Sequence, residues 1–125
     1  MSKDLSHLIQ SWLTPSAPAW QQMHWTPAVD IYRVANGWLI KFDLAGVRPN
    51  DIQLNVCGRR LTVSGRRGDW VVEESRSCCA YSMEITYSQF ERTLELPSEI
   101  EQLEIQTEYR DGMLLVSLQE QGDAG

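Results

Sequence analysis

Histidine is scarce in this chain of 125 residues, and both copies, His7 and His24, lie near its beginning. A Cys–His or Ser–His nucleophile would have to be assembled from that terminal stretch, which disfavours hydrolase chemistry. Cysteine is almost as sparse. Cys57, Cys78 and Cys79 have no metal-ligand spacing, and an odd count suits a reducing compartment rather than a disulfide framework. Cys78 and Cys79 are adjacent, which is poor geometry for a bond to each other. No glycine-rich phosphate cradle occurs, so no ATP site is visible. No apolar run approaches the length of a membrane span, and the first residues are apolar only at intervals, unlike a signal peptide. Positive charge is short as well. The formal net charge of -6 disfavours a nucleic-acid partner. These absences leave a cytoplasmic protein with no cofactor, no metal, no nucleic acid, no membrane and no enzymatic site.

What is present is a succession of short strands. Asp111-Gly112 between apolar runs is a hairpin signal, because both central residues of a type I′ turn need positive φ. Before it, Leu103, Ile105, Thr107 and Tyr109 alternate with Glu104, Gln106 and Glu108, the period of a strand with one wet face. After it, Met113 to Leu118 reads as a more deeply buried strand. Phe90, Leu94 and Leu96 alternate with polar residues until Pro97 removes a ladder donor. Upstream, Val29–Arg33, the alternation Trp38, Ile40, Phe42, Leu44, then Ile52, Leu54, Val56 and finally Leu61-Thr62-Val63 supply further strands. At this spacing, with helical signal only near the beginning, the expected fold is all-β. An antiparallel, immunoglobulin-like β-sandwich fits best. One domain of this size buries roughly two thirds of its unfolded surface.

Two stretches stand outside that pattern. Residues 1–24 form an amphipathic, mobile arm, in which Leu5, Leu8, Ile9, Trp12 and Leu13 fall on one face of a short helix. Thr14-Pro15 ends the helix, and Trp20, Met23 and Trp25 follow. The arm is too short for a core of its own, so its apolar face must dock on its own domain, a partner or a client. The second stretch, residues 66–89, is a long excursion holding Trp70-Val71-Val72 and Tyr81-Ser82-Met83-Glu84-Ile85. Its length points to function, and its apolar content predicts at least one extra strand seeking an edge elsewhere. Arg59-Arg60 and Arg66-Arg67 bracket one strand; such pairs can read phosphate, but more often they are solvated turn residues balanced by nearby acid.

In chain order, Trp25-Thr26-Pro27 with Val29-Asp30-Ile31, Leu44-Ala45-Gly46-Val47 with Asp51-Ile52, Leu61 to Arg67, Phe90 to Pro97 and Asp111-Gly112-Met113-Leu114 resemble the α-crystallin domain of small heat-shock proteins. The similarity covers about residues 25–118, is closest to the bacterial and plant type with a long loop before its Phe-x-Arg strand, and leaves 119–125 as a short tail. Ala45 departs from the usual Pro, Thr107 from a common Ala, and Gln119-Glu120 from a closing Pro-Lys. The tail holds no Ile/Val-x-Ile/Val tripeptide of the kind by which many members bind a neighbour's groove.

The resemblance implies an ATP-independent holdase, a stress-response chaperone that keeps partly unfolded proteins from aggregating. It implies client binding by Leu5, Leu8, Ile9, Trp12, Leu13, Trp20, Met23 and Trp25. It also implies an apolar groove lined by Leu54 and Val56 against Leu103, Ile105 and Thr107. A homodimer by strand exchange is expected, with Val29, Ile31 and Arg33 meeting Tyr81, Met83, Glu84 and Ile85 of another copy, and any larger oligomer weak. Arg92, on the inward face with Phe90, belongs to the same interface and needs a carboxylate or carbonyl partner, for which Glu84 is the candidate. The alternative is a co-chaperone-like sandwich that holds one folded partner, but such modules lack the excursion.

Overall fold

The computed structural model describes residues 25–74 and 77–121. Seven strands build two antiparallel sheets: β1 (Val29–Val34), β2 (Gly37–Asp43), β3 (Ile52–Cys57), β4 (Arg60–Arg66), β5 (Gln89–Glu95), β6 (Glu104–Arg110) and β7 (Met113–Gln119). One sheet runs β1-β2-β7-β6 and the other β3-β4-β5. The all-β sandwich expected from strand spacing is the fold observed. The arm's helix, Leu5 to Leu13, lies outside the described residues.

Alternation decides which side chains go inside. Ile40, Phe42 and Leu44 from β2 and the residue after it, Leu61 and Val63 from β4, and Leu114, Val116 and Leu118 from β7 are buried. Phe90 and Leu94 of β5 and Leu96 just after it close the core from the second sheet, and Val47 and Ile100 plug it from loops. Each fully buried side chain of this kind stabilises the fold by about 1.5–3 kcal/mol.

The turns follow local chemistry. Asp111 (φ 53°) and Gly112 (φ 79°) both occupy the left-handed region, as a type I′ hairpin requires. The Gly112 carbonyl then accepts from the Leu44 amide at 2.8 Å, fixing the hairpin tip against the loop after β2. Gly65 in β4 serves close approach instead. A Cβ there would lie 2.0 Å from the Asp51 carbonyl oxygen and 2.8 Å from the Phe90 ring.

The excursion departs from expectation. It carries a short helix, α1 (Trp70–Glu74), whose start is held by the Val71 amide donating to Asp69 Oδ1 at 3.1 Å. No strand forms among its described residues. The reason is topological: β4 is paired on both sides, and the free side of β5 is taken at Phe90 by a parallel bridge to Trp25. A strand at Tyr81–Ile85 therefore finds no open edge beside it in its own chain.

Candidate functional site

A four-stranded sheet against a three-stranded one leaves a strand uncovered, and here that strand is β1. Ile31 pairs with Ile40 and so shares the inward face, yet Ile40 is fully buried while Ile31 is 43% exposed. Arg33, next along that face, lies with its guanidinium 4.8 Å from the centre of the Trp38 ring, and Val29 is half-buried against the core. β1 hydrogen-bonds to β2 alone, so its outer backbone edge is open. In the excursion, Tyr81 is fully exposed, Met83 and Ile85 are 49% and 60% exposed, and Glu84 is exposed too. The chain does not bring these residues to its own β1.

Arg92 is half-buried and donates through Nη1 to the Pro27 carbonyl at 2.8 Å. The expected partner Glu84 is thereby replaced by a backbone oxygen. The physical reason is proximity, since Pro27 is carried across β5 by the Trp25–Phe90 bridge, whereas Glu84 sits on the exposed excursion.

The opposite margin of the sandwich is formed by β3 and β6. Leu54 and Val56 pair with buried Val63 and Leu61, and Ile105 and Thr107 pair with buried Leu118 and Val116, so both rows face inward where the sandwich opens. Leu54, Val56 and Leu103 also pack on the core, while Ile105 is 41% exposed. One end of this margin is stitched shut. The Ile100 amide donates to the Gly58 carbonyl at 2.9 Å, and the Gly58 amide donates to Glu101 Oε1 at 2.8 Å. At the other end the Tyr109 hydroxyl lies 2.8 Å from the Leu44 carbonyl and 2.7 Å from that of Val47. Burial raises the Tyr109 pKa; the hydrogen bond to Val47 opposes this, and nearby Asp43 adds to it.

Arg67 is the residue that sequence reasoning misplaced. Arg59 behaves as expected, pairing with Glu95 at 2.9 Å on the surface, but Arg67 is not a solvated turn residue. Its guanidinium carbon stacks 3.6 Å from the centre of the Trp25 ring. Nε and Nη2 donate to the Thr86 carbonyl at 3.0 and 2.7 Å, and Nη1 donates to the Ala45 carbonyl at 3.2 Å. Burial lowers its pKa, with Tyr87 and Asp43 acting the other way. No local pattern announces such a contact, because its partners lie 19 to 42 positions away.

Trp25 is engaged in the same place. Its amide donates to Ser88 Oγ at 3.1 Å, and its ring meets Phe90 edge-on at 5.3 Å. Of the eight residues expected to meet clients it is the one among the described residues, half-buried and packed against the core. The other seven, Leu5, Leu8, Ile9, Trp12, Leu13, Trp20 and Met23, lie outside the described residues. Among the described residues a surface hollow of about 470 Å³ is lined by Asn50, Asp51, Gln53, Ser64, Gln89 and Glu91 among others.

Two sheets of four and three strands, an open β1 edge and a long connection before β5 define an α-crystallin-type sandwich. The Hsp20/alpha crystallin family profile matches residues 30–124, and the chain belongs to that family. It is 30% identical over 92 residues to Spore protein SP21 of Stigmatella aurantiaca, covering 74% of this chain and 53% of that one. It is 28% identical over 99 residues to Small heat shock protein C2 of Rickettsia felis, covering 77% and 62%. The chain thus spans about half to three fifths of the length of these relatives. Among solved structures, Heat shock protein 16.0 from Schizosaccharomyces pombe superposes with a TM-score of 0.70 at 24% identity, over 82% of this chain and 94% of that one. HSP18.5 from E. histolytica gives 0.63 at 23% identity, over 77% and 88%. Small heat-shock proteins are ATP-independent chaperones, not enzymes.

Proposed function

We propose that this protein is an ATP-independent holdase of the cytoplasm that captures partly unfolded proteins and prevents their aggregation. Family membership supports the class of activity. Cys57, Cys78 and Cys79 are exposed and in no disulfide, which favours a reducing compartment. No helix among the described residues is long and apolar enough to cross a membrane.

The observation that carries the working arrangement is the pair of unsatisfied surfaces, β1 with exposed Ile31 and the strandless Tyr81–Ile85 segment. Each supplies what the other lacks. Exchange between two copies would pair the backbone of Tyr81–Ile85 with the open edge of β1, covering Ile31 and removing an exposed edge. Clients are met by the arm, through the apolar spacing of Leu5, Leu8, Ile9, Trp12 and Leu13, and by the margin lined by Leu54, Val56, Leu103, Ile105 and Thr107. Acidic surface keeps the loaded complex in solution.

The test is light scattering of an unrelated protein heated without ATP, with and without this protein at equimolar amounts. The full chain should suppress aggregation, and a chain lacking residues 1–24 should suppress it markedly less while keeping its β-sheet circular dichroism. Equal protection by the shortened chain removes the arm from the client site. No protection by the full chain rejects the holdase reading and favours the adaptor alternative.

A further inference from the structure

Trp25, which follows the arm, meets the sandwich where the excursion returns to it, and one side chain touches both Trp25 and the excursion's end. Trp25 is the first described residue after the arm, and Thr86 to Ser88 are the last before β5. Arg67 leaves the end of β4 and lies between them, stacked on Trp25 and bonded to the Thr86 carbonyl through two nitrogens. Its own amide donates to the Ser88 carbonyl at 2.9 Å, while Ser88 Oγ accepts from the Trp25 amide. Its remaining nitrogen reaches the Ala45 carbonyl, so the fork is anchored to the loop after β2.

We propose that Arg67 is a latch coupling the arm to the excursion, so that displacing Trp25 loosens residues 86–88 and freeing those residues loosens the root of the arm. The physics lies in the geometry of the fork. A planar guanidinium bonds in its plane and stacks on its face, so its carbonyl partners fix the plane on which the indole lies. Withdraw the indole and one face of the cation opens to water, which competes for the Thr86 carbonyl. Withdraw Thr86 and the guanidinium is no longer held over the ring. A lysine would keep the charge but not this shared orientation. The consequence for assembly rests on the function proposed above: a client drawing on the arm would release the excursion and speed exchange of subunits. The coupling itself needs no second subunit.

Hydrogen exchange by NMR on the full chain tests it, with the amides of residues 25 and 67 reporting the arm root and the excursion root. Arg67→Met keeps an apolar stem over Trp25 and removes the fork; Trp25→Ala removes the stacking surface. Each single variant should raise exchange at both amides by about tenfold, Arg67→Met by removing the charge-assisted hydrogen bonds and Trp25→Ala by opening them to water. The amides of β2 and β7 report whether the fold survives, and Arg67→Lys serves if Arg67→Met unfolds. The double variant should exchange little faster than either single one, the signature of one shared unit. Additive effects, or a response confined to the altered residue's own side, overturn the latch. Mixing isotopically heavy and light protein then reads subunit exchange by native mass spectrometry, where Arg67→Met should be several-fold faster. Joint loosening of the two amides with unchanged mixing leaves the latch standing and sinks its link to strand exchange.

Discussion

Arg92 in β5 donates to the Pro27 carbonyl at 2.8 Å, across 65 positions of sequence. Pro27 is fully buried, so its carbonyl has no ready access to water, and the guanidinium is the donor it receives. The bond ties the start of the first sheet to the free edge of the second. Arg92→Met should therefore destabilise the sandwich by about 1–3 kcal/mol, the cost of stranding a buried acceptor. Arg92→Lys, which keeps a donor, should recover part of that loss. Urea denaturation checks both, with the midpoint falling while the slope stays constant. An unchanged midpoint for Arg92→Met would mean that water replaces the side chain without cost.

The same reasoning applies to Tyr109, whose single hydroxyl proton is shared between the carbonyls of Leu44 and Val47. Tyr109→Phe should cost about 1–2 kcal/mol and lower the melting temperature by about 3–8 °C. Its folded-state pKa is raised above the ordinary value of 10.0. The associated stability is fully present below about pH 10 and is lost as pH rises through the folded value, because the unfolded phenol ionises first. Above about pH 10 the wild type should lose stability more steeply than Tyr109→Phe. Parallel pH profiles for the two proteins would show that the phenol ionises equally easily in both states.

Gly65 gives a prediction of larger size. A methyl group there meets the Asp51 carbonyl oxygen at 2.0 Å, and backbone cannot step aside as a flexible side-chain end can. Gly65→Ala should displace the 3-10 turn at Pro49–Asp51 or separate β3 from β4, at a cost of about 3 kcal/mol or more. The readout is the thermal midpoint, and a shift under 2 °C, on the order of measurement scatter for about 0.5 kcal/mol, would contradict the close approach.

These contacts mark what the sequence discloses and what it conceals. Asp111-Gly112 was legible because two positive φ values in succession demand those residue types. The β2 strand was legible because Ile40, Phe42 and Leu44 alternate with Leu39, Lys41 and Asp43 at the strand period. Local chemistry sets both. Arg67 was not legible: a guanidinium between Trp25, Ala45 and Thr86 depends on how two sheets and two loops meet, and an Arg-Arg pair beside a turn looks the same when solvated. The choice of Pro27 over Glu84 for Arg92 was hidden for the same reason. The excursion failed differently. Tyr81–Ile85 has strand composition, but a strand exists only where an edge is offered, and its own chain offers none there. Sequence gave the preference and topology withheld the partner.

That withheld partner yields the last prediction. If Tyr81–Ile85 of one copy pairs with β1 of another, a two-fold axis makes every contact occur twice. Met83 and Ile85 are half to mostly exposed in the single chain and lie outside the core cluster, so replacing both by Asp should leave the isolated sandwich folded. Only about half of each side chain remains to be buried in the dimer, so each one lost is worth about 1 kcal/mol. Four losses amount to about 4 kcal/mol, several hundredfold in Kd, before the charges are desolvated. Ile31→Asp, on the receiving strand, should weaken association in the same direction. Light scattering across a dilution series should show the wild type holding a dimer at concentrations where Met83→Asp/Ile85→Asp is monomeric, with matching circular dichroism. An unchanged dimer in the double variant places the interface elsewhere, and the margin formed by β3 and β6 is then the next surface to test.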